Sequence, residues 1–485
     1  MAKLRIPAMV MLFVSAALIE VFRLWSLSAL TNADVWWHLS SGLWILRHRA
    51  FPHNGLFSQS SSLPWIASSW GYDLLLAVAY KLVGLRAIPL LLIFFRAGLA
   101  VVTFLLAGGL RGKFWLAVGL SAVAQYILSA MPPGPGYLST LLFGIELLLL
   151  LEARRTGSYR PFLWLPLLLL LWANLHVQFV YGVLLLLLFV GTVACERWLR
   201  VPSERPLDLG TVLKIAGISL VATVLTPYFY RPYGVFFATT FSSANQYLPE
   251  FRALGFRQPQ DYVLLLLAMS AFLTLGLRRS RDMFQIGLLF GSLAVSFYAQ
   301  RDIWLVALAS LAVIGEAVAE ARTSVVTSAS EKPSLPREVW IAACAAVAIL
   351  IVVAFVRLPR TREALVAKAG ASYPVAACNY IREHRLAQPL FNAYEWGGVL
   401  TWYLPEYPVA IDGRTDLYGG DTVAEYSKVM NADVPYTEYP AVAGAQTILL
   451  PKNTIMAAGL SSVPIFKVAY SDDVAIVLTR RDPNE

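Results

Sequence analysis

Apolar runs long enough to cross a bilayer recur along this chain, and they constrain its fold more than any other feature. A spanning helix needs about 20 such residues. Candidate spans lie at 6–26, 86–108, 114–130, 137–153, 161–174, 178–195, 211–226, 260–277, 283–299, 302–320 and 339–356. That is about eleven, and several are short, which points to tilted or broken helices. Only 14% of the 485 residues are charged and 58% are hydrophobic, whereas a soluble domain carries about a quarter charged residues. The fold class that follows is mostly α: a polytopic helical membrane protein.

The basic residues set an orientation. Lys3, Arg5, Arg111, Lys113, Arg154, Arg155, Arg160, Arg197, Arg200, Arg205, Arg278, Arg279 and Arg281 fall on one side if the spans alternate, and that side reads as cytoplasmic. The net charge of +9 then reports anionic lipid and not nucleic acid. The first run, MAKLRIPAMVMLFVSAALIEVF, is long and has no small-residue cleavage site after it, so it reads as a retained membrane helix. Cys195, Cys344 and Cys378 cannot build a disulfide framework or a metal cluster. The flanks of the last span carry arginines on both sides, and counting spans places the tail outside.

Composition changes after Val356. Residues 1–356 read as the transmembrane domain, with a first outer loop at about 27–85, and residues 357–485 as a small α/β domain on the extracytoplasmic side. In this tail PLFNA, PVAIDG, QTILLP and the pair FKVAY/VAIVLTR read as strands. YPVAACNYIREH, TVAEYSKVM and NTIMAAGL read as helices.

Ionisable groups inside apolar spans are costly, so Glu20, Arg96 and Glu146 are candidates for function or for buried pairing. The outer loops hold more. Asp34 and His38 are four residues apart and share a face if the segment is helical. That pairing suits general base work, tautomer control or cation binding, and Asn32 or Asp34 equally suits a helix N-cap. Trp36, Trp37, Trp44, Trp65 and Trp70 read first as interfacial anchors. WANLHVQFVYG interrupts a long apolar run with Asn174, His176 and Gln178, either lining a cavity or joining helices. The loop at 227–259 is aromatic and basic, and reads as an amphipathic segment in the interface. It carries Arg231, Glu250, Arg252 and Arg257. Arg301 and Asp302 form a charged pair above two apolar spans, and a guanidinium suits bidentate phosphate contact. In the tail, DGRTD with Asn392 and Glu395 is the densest polar cluster. It reads either as a tight turn held by Asp412 and Arg414 or as a cap that contacts an acceptor.

The order of DVWWHLSSGLWILRHRAFPHNGLFS, PWIASSWGYDLLLAVAY, WANLHVQF, TPYFYRPYG and FNAYEWGGVLTWYLPEYPVAIDGRTDLYG resembles a family of uncharacterised bacterial integral membrane proteins. That family is similar in architecture to the GT-C superfamily of polyprenyl-phosphate-sugar-dependent glycosyltransferases. The resemblance implies a bacterial inner-membrane protein that takes a sugar from a polyprenyl-phosphate carrier on the extracytoplasmic face. It implies Asp34 as base or acceptor-positioning acid, with His38 and His176 assisting. Arg301, Arg231, Asp302, Gln178, Glu250, Asp412 and Arg414 are the expected substrate-binding residues. The partners implied are membrane lipid, the carrier-linked donor, an unknown acceptor and partners in a membrane complex. No cofactor is certain and a divalent cation is allowed for, although the second acid of the superfamily is missing from the MPPGPG turn. The alternative is a non-catalytic membrane subunit, or a lipid- or glycan-binding protein, on the same scaffold.

Overall fold

The computed structural model describes residues 28–109, 111, 113–201, 206–325 and 372–481, with isolated positions between 341 and 366. The expected span at 6–26, with Glu20, lies outside the described residues, and so does nearly all of that at 339–356. The principal elements in chain order are α1 (Ala33–His48), α2 (Trp70–Val83), α3 (Ala87–Leu106), α4 (Phe114–Leu128), α5 (Gly136–Thr156), α6 (Leu165–Leu175), α7 (Phe179–Trp198), α8 (Leu209–Thr223), α9 (Arg231–Thr240), α10 (Pro259–Leu277), α11 (Met283–Tyr298), α12 (Ile303–Val325), α13 (Val375–Glu383), β1 (Leu390–Asn392), α14 (Tyr394–Tyr403), α15 (Gly420–Met430), β2 (Thr447–Pro451), α16 (Ile455–Ser461), β3 (Phe466–Ser471) and β4 (Ala475–Arg480). Among the described residues five helices are long and apolar enough to cross a membrane, and four shorter apolar helices accompany them. These fall on the expected intervals from 86–108 to 302–320. The chain is a mostly helical, polytopic membrane protein with a small sheet near its C-terminus.

Two compact units divide the chain. The first contains Leu92–Tyr230 and the segment from Pro249 through α12. Its centre is α12, whose apolar residues run all round the helix, and Trp304, Val306, Ala307, Leu308 and Leu311 are fully buried. Small residues let neighbours come close, as membrane helices require. A Cβ on Gly315 would lie 2.0 Å from the Leu106 carbonyl oxygen, so only glycine permits that approach. Helices α10, α11, α4 and α5 pack on α12, and α8 packs on α6. Ile218, Val221, Leu266 and Leu273 stay exposed, an apolar surface that a bilayer would cover. Arg154 pairs with Glu196 and, at 3.2 Å, with Asp282. Arg278 pairs with Glu320.

The second unit contains the described residues up to Leu91, Arg231–Leu248 and the tail. Its sheet has the order β1-β2-β4-β3, with β1 parallel to β2 and the other pairs antiparallel. The hairpin β3–β4 closes through Asp472, whose carboxylate accepts from the N–H groups of Val474 and Ala475 at 2.8 and 2.7 Å. PVAIDG, expected as a strand, is not part of this sheet. Val409 instead exchanges backbone bonds with the first loop, donating to Phe57 O and accepting from Gln59 N, both at 2.9 Å. The expected helices in the tail form, and an unexpected ten-residue helix, α14, joins them. Two glycines make α14 a poor helix by propensity, and tertiary packing explains both. A Cβ on Gly398 would stand 2.1 Å from Ala33 O, and one on Gly397 would stand 2.1 Å from Ile411 O. The tryptophans of the first loop are not all anchors. Trp36 is 1% exposed and Trp65 3%. Trp36 packs against Trp402 with ring centroids 4.9 Å apart, in the core of the unit.

Candidate functional site

Asn32 caps α1, its side-chain oxygen accepting from Asp34 N at 2.8 Å. This leaves the Asp34 side chain clear of capping. Asp34 is half-buried, and its Oδ1 accepts the Trp37 indole N–H at 3.1 Å. The same oxygen rests on the tail: a Cβ on Gly413 would lie 2.0 Å from it. Glycine at the centre of DGRTD is therefore a condition for seating the acid.

His38 does not pair with Asp34. Its Nδ1 meets Asp73 Oδ1 at 2.5 Å, and both side chains are buried. One proton bridges the two groups; burial pushes the Asp73 carboxyl above its ordinary value, against the pull of His38. The α1–α2 approach makes the pair possible, since Gly42 lies so close that a Cβ would stand 1.9 Å from Asp73 O. Trp37 stacks on the imidazole, with centroids 3.6 Å apart. The sequence offers Asp73 as a substitute for the missing second acid and Gly413 as part of the DGRTD cluster, but it pairs neither with His38 or Asp34, and Trp37 reads as an anchor. Helical periodicity relates only near neighbours, and Asp73 is 35 positions from His38.

Asp412 and Arg414 bind each other. The Arg414 Nε donates to Asp412 Oδ1 at 2.9 Å and Nη2 donates to Oδ2 at 2.5 Å, with both side chains fully buried. Tyr418 OH donates to the same carboxylate at 3.2 Å. Burial alone would lower the guanidinium's pKa, but the Asp412 charge and hydrogen bonds hold it above the ordinary value. Arg414 lies over the Trp65 ring at 4.9 Å, and the Trp65 indole N–H donates to Asp416 Oδ2 at 3.1 Å. Surrounding protein pushes the Asp416 carboxyl up to about 6, against the pull of Arg414. Asp416 keeps an exposed side, so water moderates that push. The geometry of Asp412 and Arg414 is that of a turn locked by a buried ion pair, not of two side chains presented to a ligand.

In the first unit α6 ends at Leu175 and α7 begins at Phe179, so the WANLHVQ stretch does break the apolar run. His176 Nδ1 lies 2.7 Å from Ser139 Oγ, which also accepts the Trp172 indole N–H at 2.8 Å. Arg301 and Asp302 are neighbours in sequence but turn to different partners. Asp302, 4% exposed, accepts from Gln178 Nε2 at 3.1 Å and from Tyr181 OH at 2.7 Å. The Arg301 guanidinium lies 3.6 Å from Glu250 and 4.4 Å from the Phe251 ring centroid. Asn174 donates to Leu170 O at 2.9 Å and Leu225 O at 3.1 Å, which is helix joining. Arg96 donates to the Tyr137 hydroxyl and lies over its ring at 4.7 Å. Glu146 is fully buried against Gly182. In the second unit, Arg231 opens α9 and is exposed. Among the described residues no group of three or more His, Cys, Asp or Glu side chains could hold a metal ion.

Comparison with solved structures finds ArnT from Cupriavidus metallidurans bound to undecaprenyl phosphate. The identity is 16%, the match covers 98% of each chain, and the TM-score is 0.47. The same enzyme in the apo state matches at 16% identity over 97% of each chain, with a TM-score of 0.45. No protein-family model and no curated protein matches the chain.

Proposed function

We propose that the protein is a membrane glycosyltransferase of the GT-C kind, taking a sugar from a polyprenyl-phosphate carrier on the extracytoplasmic face. The observation that carries this reading is the seating of Asp34. An ionisable side chain in the first turn of a helix, half-buried and held by an indole N–H against a glycine, is oriented for use. A plain surface acid needs no such seat. Asp34 takes the proton of an acceptor hydroxyl or orients that hydroxyl. The acceptor oxygen then bonds to the sugar's anomeric carbon, and the bond from that carbon to the phosphate oxygen breaks. The leaving phosphate keeps the electron pair. In the first unit, taken by itself, buried Asp302 with Gln178 and Tyr181 fixes the turn that presents Arg301, a guanidinium suited to a phosphate. His38 acts on Asp34 through Trp37, not by direct contact. The ArnT structure holds undecaprenyl phosphate, a ligand of the class proposed for this chain.

The test is transfer from a radiolabelled polyprenyl-phosphate sugar in membranes that carry the protein. Asp34→Asn and Arg301→Ala are each expected to lower transfer at least about 100-fold while the protein stays folded. Unchanged transfer in both variants would favour the non-catalytic subunit.

A further inference from the structure

The turn before α5 reads MPPGPG, from Met131 to Gly136. Prolines and glycines have no side chain that can cap a helix, and Pro135 at the N-cap position makes no such bond. Two early N–H groups fold back, Tyr137 to Gly134 O at 3.3 Å and Ser139 to Pro135 O at 3.1 Å. Gly136 and Leu138 make no such bond among the described residues. The 21-residue helix α5 thus begins with donors that lack an acceptor, at the positive end of its dipole.

A second, independent observation lies beside it. Gln178 is 4% exposed. Its Nε2 donates to Asp302, which fixes the amide: Oε1 must point the other way. That buried oxygen has no donor among the described residues. It lies 3.9 Å from where a Cβ on Gly136 would stand. A Cβ on Gly134 would meet open space.

The geometry points to a subsite for one sugar hydroxyl, formed by Gln178 Oε1 and the first N–H groups of α5. A hydroxyl donates to Oε1 and accepts from an amide N–H at once. A phosphate or carboxylate only accepts, and it would face Oε1 and the Asp302 charge behind it. This rests on the reading of the protein as one that handles carrier-linked sugars, and it assigns the turn and Gln178 to sugar recognition, not to the phosphate.

Two variants test it. Gly136→Ala places a methyl group in the subsite at ordinary contact distances, so the fold is not strained. Gln178→Met removes the oxygen at similar volume. Binding to the full-length protein in nanodiscs is measured for a short-chain polyprenyl phosphate, its glucosyl ester, the monodeoxy analogues of that ester, and an alkyl glucoside. The wild type is expected to bind the glucosyl ester about tenfold more tightly than one deoxy analogue. Both variants should erase that difference; Gly136→Ala should also leave affinity for the bare polyprenyl phosphate unchanged, whereas Gln178→Met takes the Nε2 donor from Asp302 as well and is read on the analogue preference alone. The same preference in the alkyl glucoside supports the subsite and places the hydroxyl on the acceptor. If wild type and Gly136→Ala treat every analogue alike, only water occupies the place and the proposal falls. If the bare polyprenyl phosphate does not bind at all, the donor reading fails instead, and the alkyl glucosides alone decide the subsite.

Discussion

Asp412 and Arg414 show how a polar cluster can be structural while it shapes a site. Their buried bidentate pair fixes the turn that brings Gly413 against Asp34. Removing one partner strands the other charge inside the protein, which typically costs about 3–5 kcal/mol. Asp412→Ala and Arg414→Ala should therefore each lower the thermal midpoint by several degrees, as fluorescence-monitored unfolding in detergent would show. An unchanged midpoint would mean that water reaches the pair. Asp416 in the same turn supplies a pH signature. Its folded pKa of about 6 lies above the roughly 3.9 of an unfolded chain. The folded state then holds the proton more tightly, so the contribution is fully present below about pH 4 and is lost as pH rises through 6. Unfolding midpoints of Asp416→Asn, measured from pH 4 to 7, should lack that loss. Water at the exposed side keeps the effect small, and parallel curves for the two proteins would contradict the assignment. The candidate acid itself, Asp34, was legible from its place after the first apolar run. Its contact with Gly413 and the neighbouring Asp73–His38 pair were not, because they join segments far apart in sequence, whereas Trp37 lies three residues on in the same helix and reads as an anchor.

At the scale of elements, glycine contacts decide which helices meet. The Gly397–Gly398 pair lets α14 touch Ala33 on one side and Ile411 on the other. Gly398→Ala would drive a methyl group into a backbone carbonyl, an overpacking that costs about 1–3 kcal/mol. Gly191→Ala in α7 meets nothing within 4 Å and should be neutral or slightly stabilising by helix propensity. The difference between their unfolding midpoints measures the contact. Equal midpoints would show that α14 can move away. The apolar helices from α3 to α12 were legible because a run of about 20 apolar residues has few alternatives in a membrane protein. The helix α14 was hidden by its glycines. PVAIDG was misread because alternation alone cannot distinguish a strand in the sheet from an extended segment bonded to a distant loop.

On the whole-molecule scale, one compact unit draws on the first loop, a middle segment and the tail. A division of the sequence by composition at residue 356 could not reveal this, since the first loop joins the tail through backbone bonds such as Val409 to Phe57. The consequence is that Asp34 is seated partly by a residue of the tail, Gly413, and the account stands or falls on that acid. The most direct measurement is the rate of sugar transfer from a purified polyprenyl-phosphate sugar by the full-length protein in nanodiscs, wild type against Asp34→Asn. The predicted result is transfer by the wild type and a loss of at least about 100-fold in the folded variant. Equal rates in the two proteins, or none in the wild type across the carrier-linked sugars of its own membrane, would contradict it.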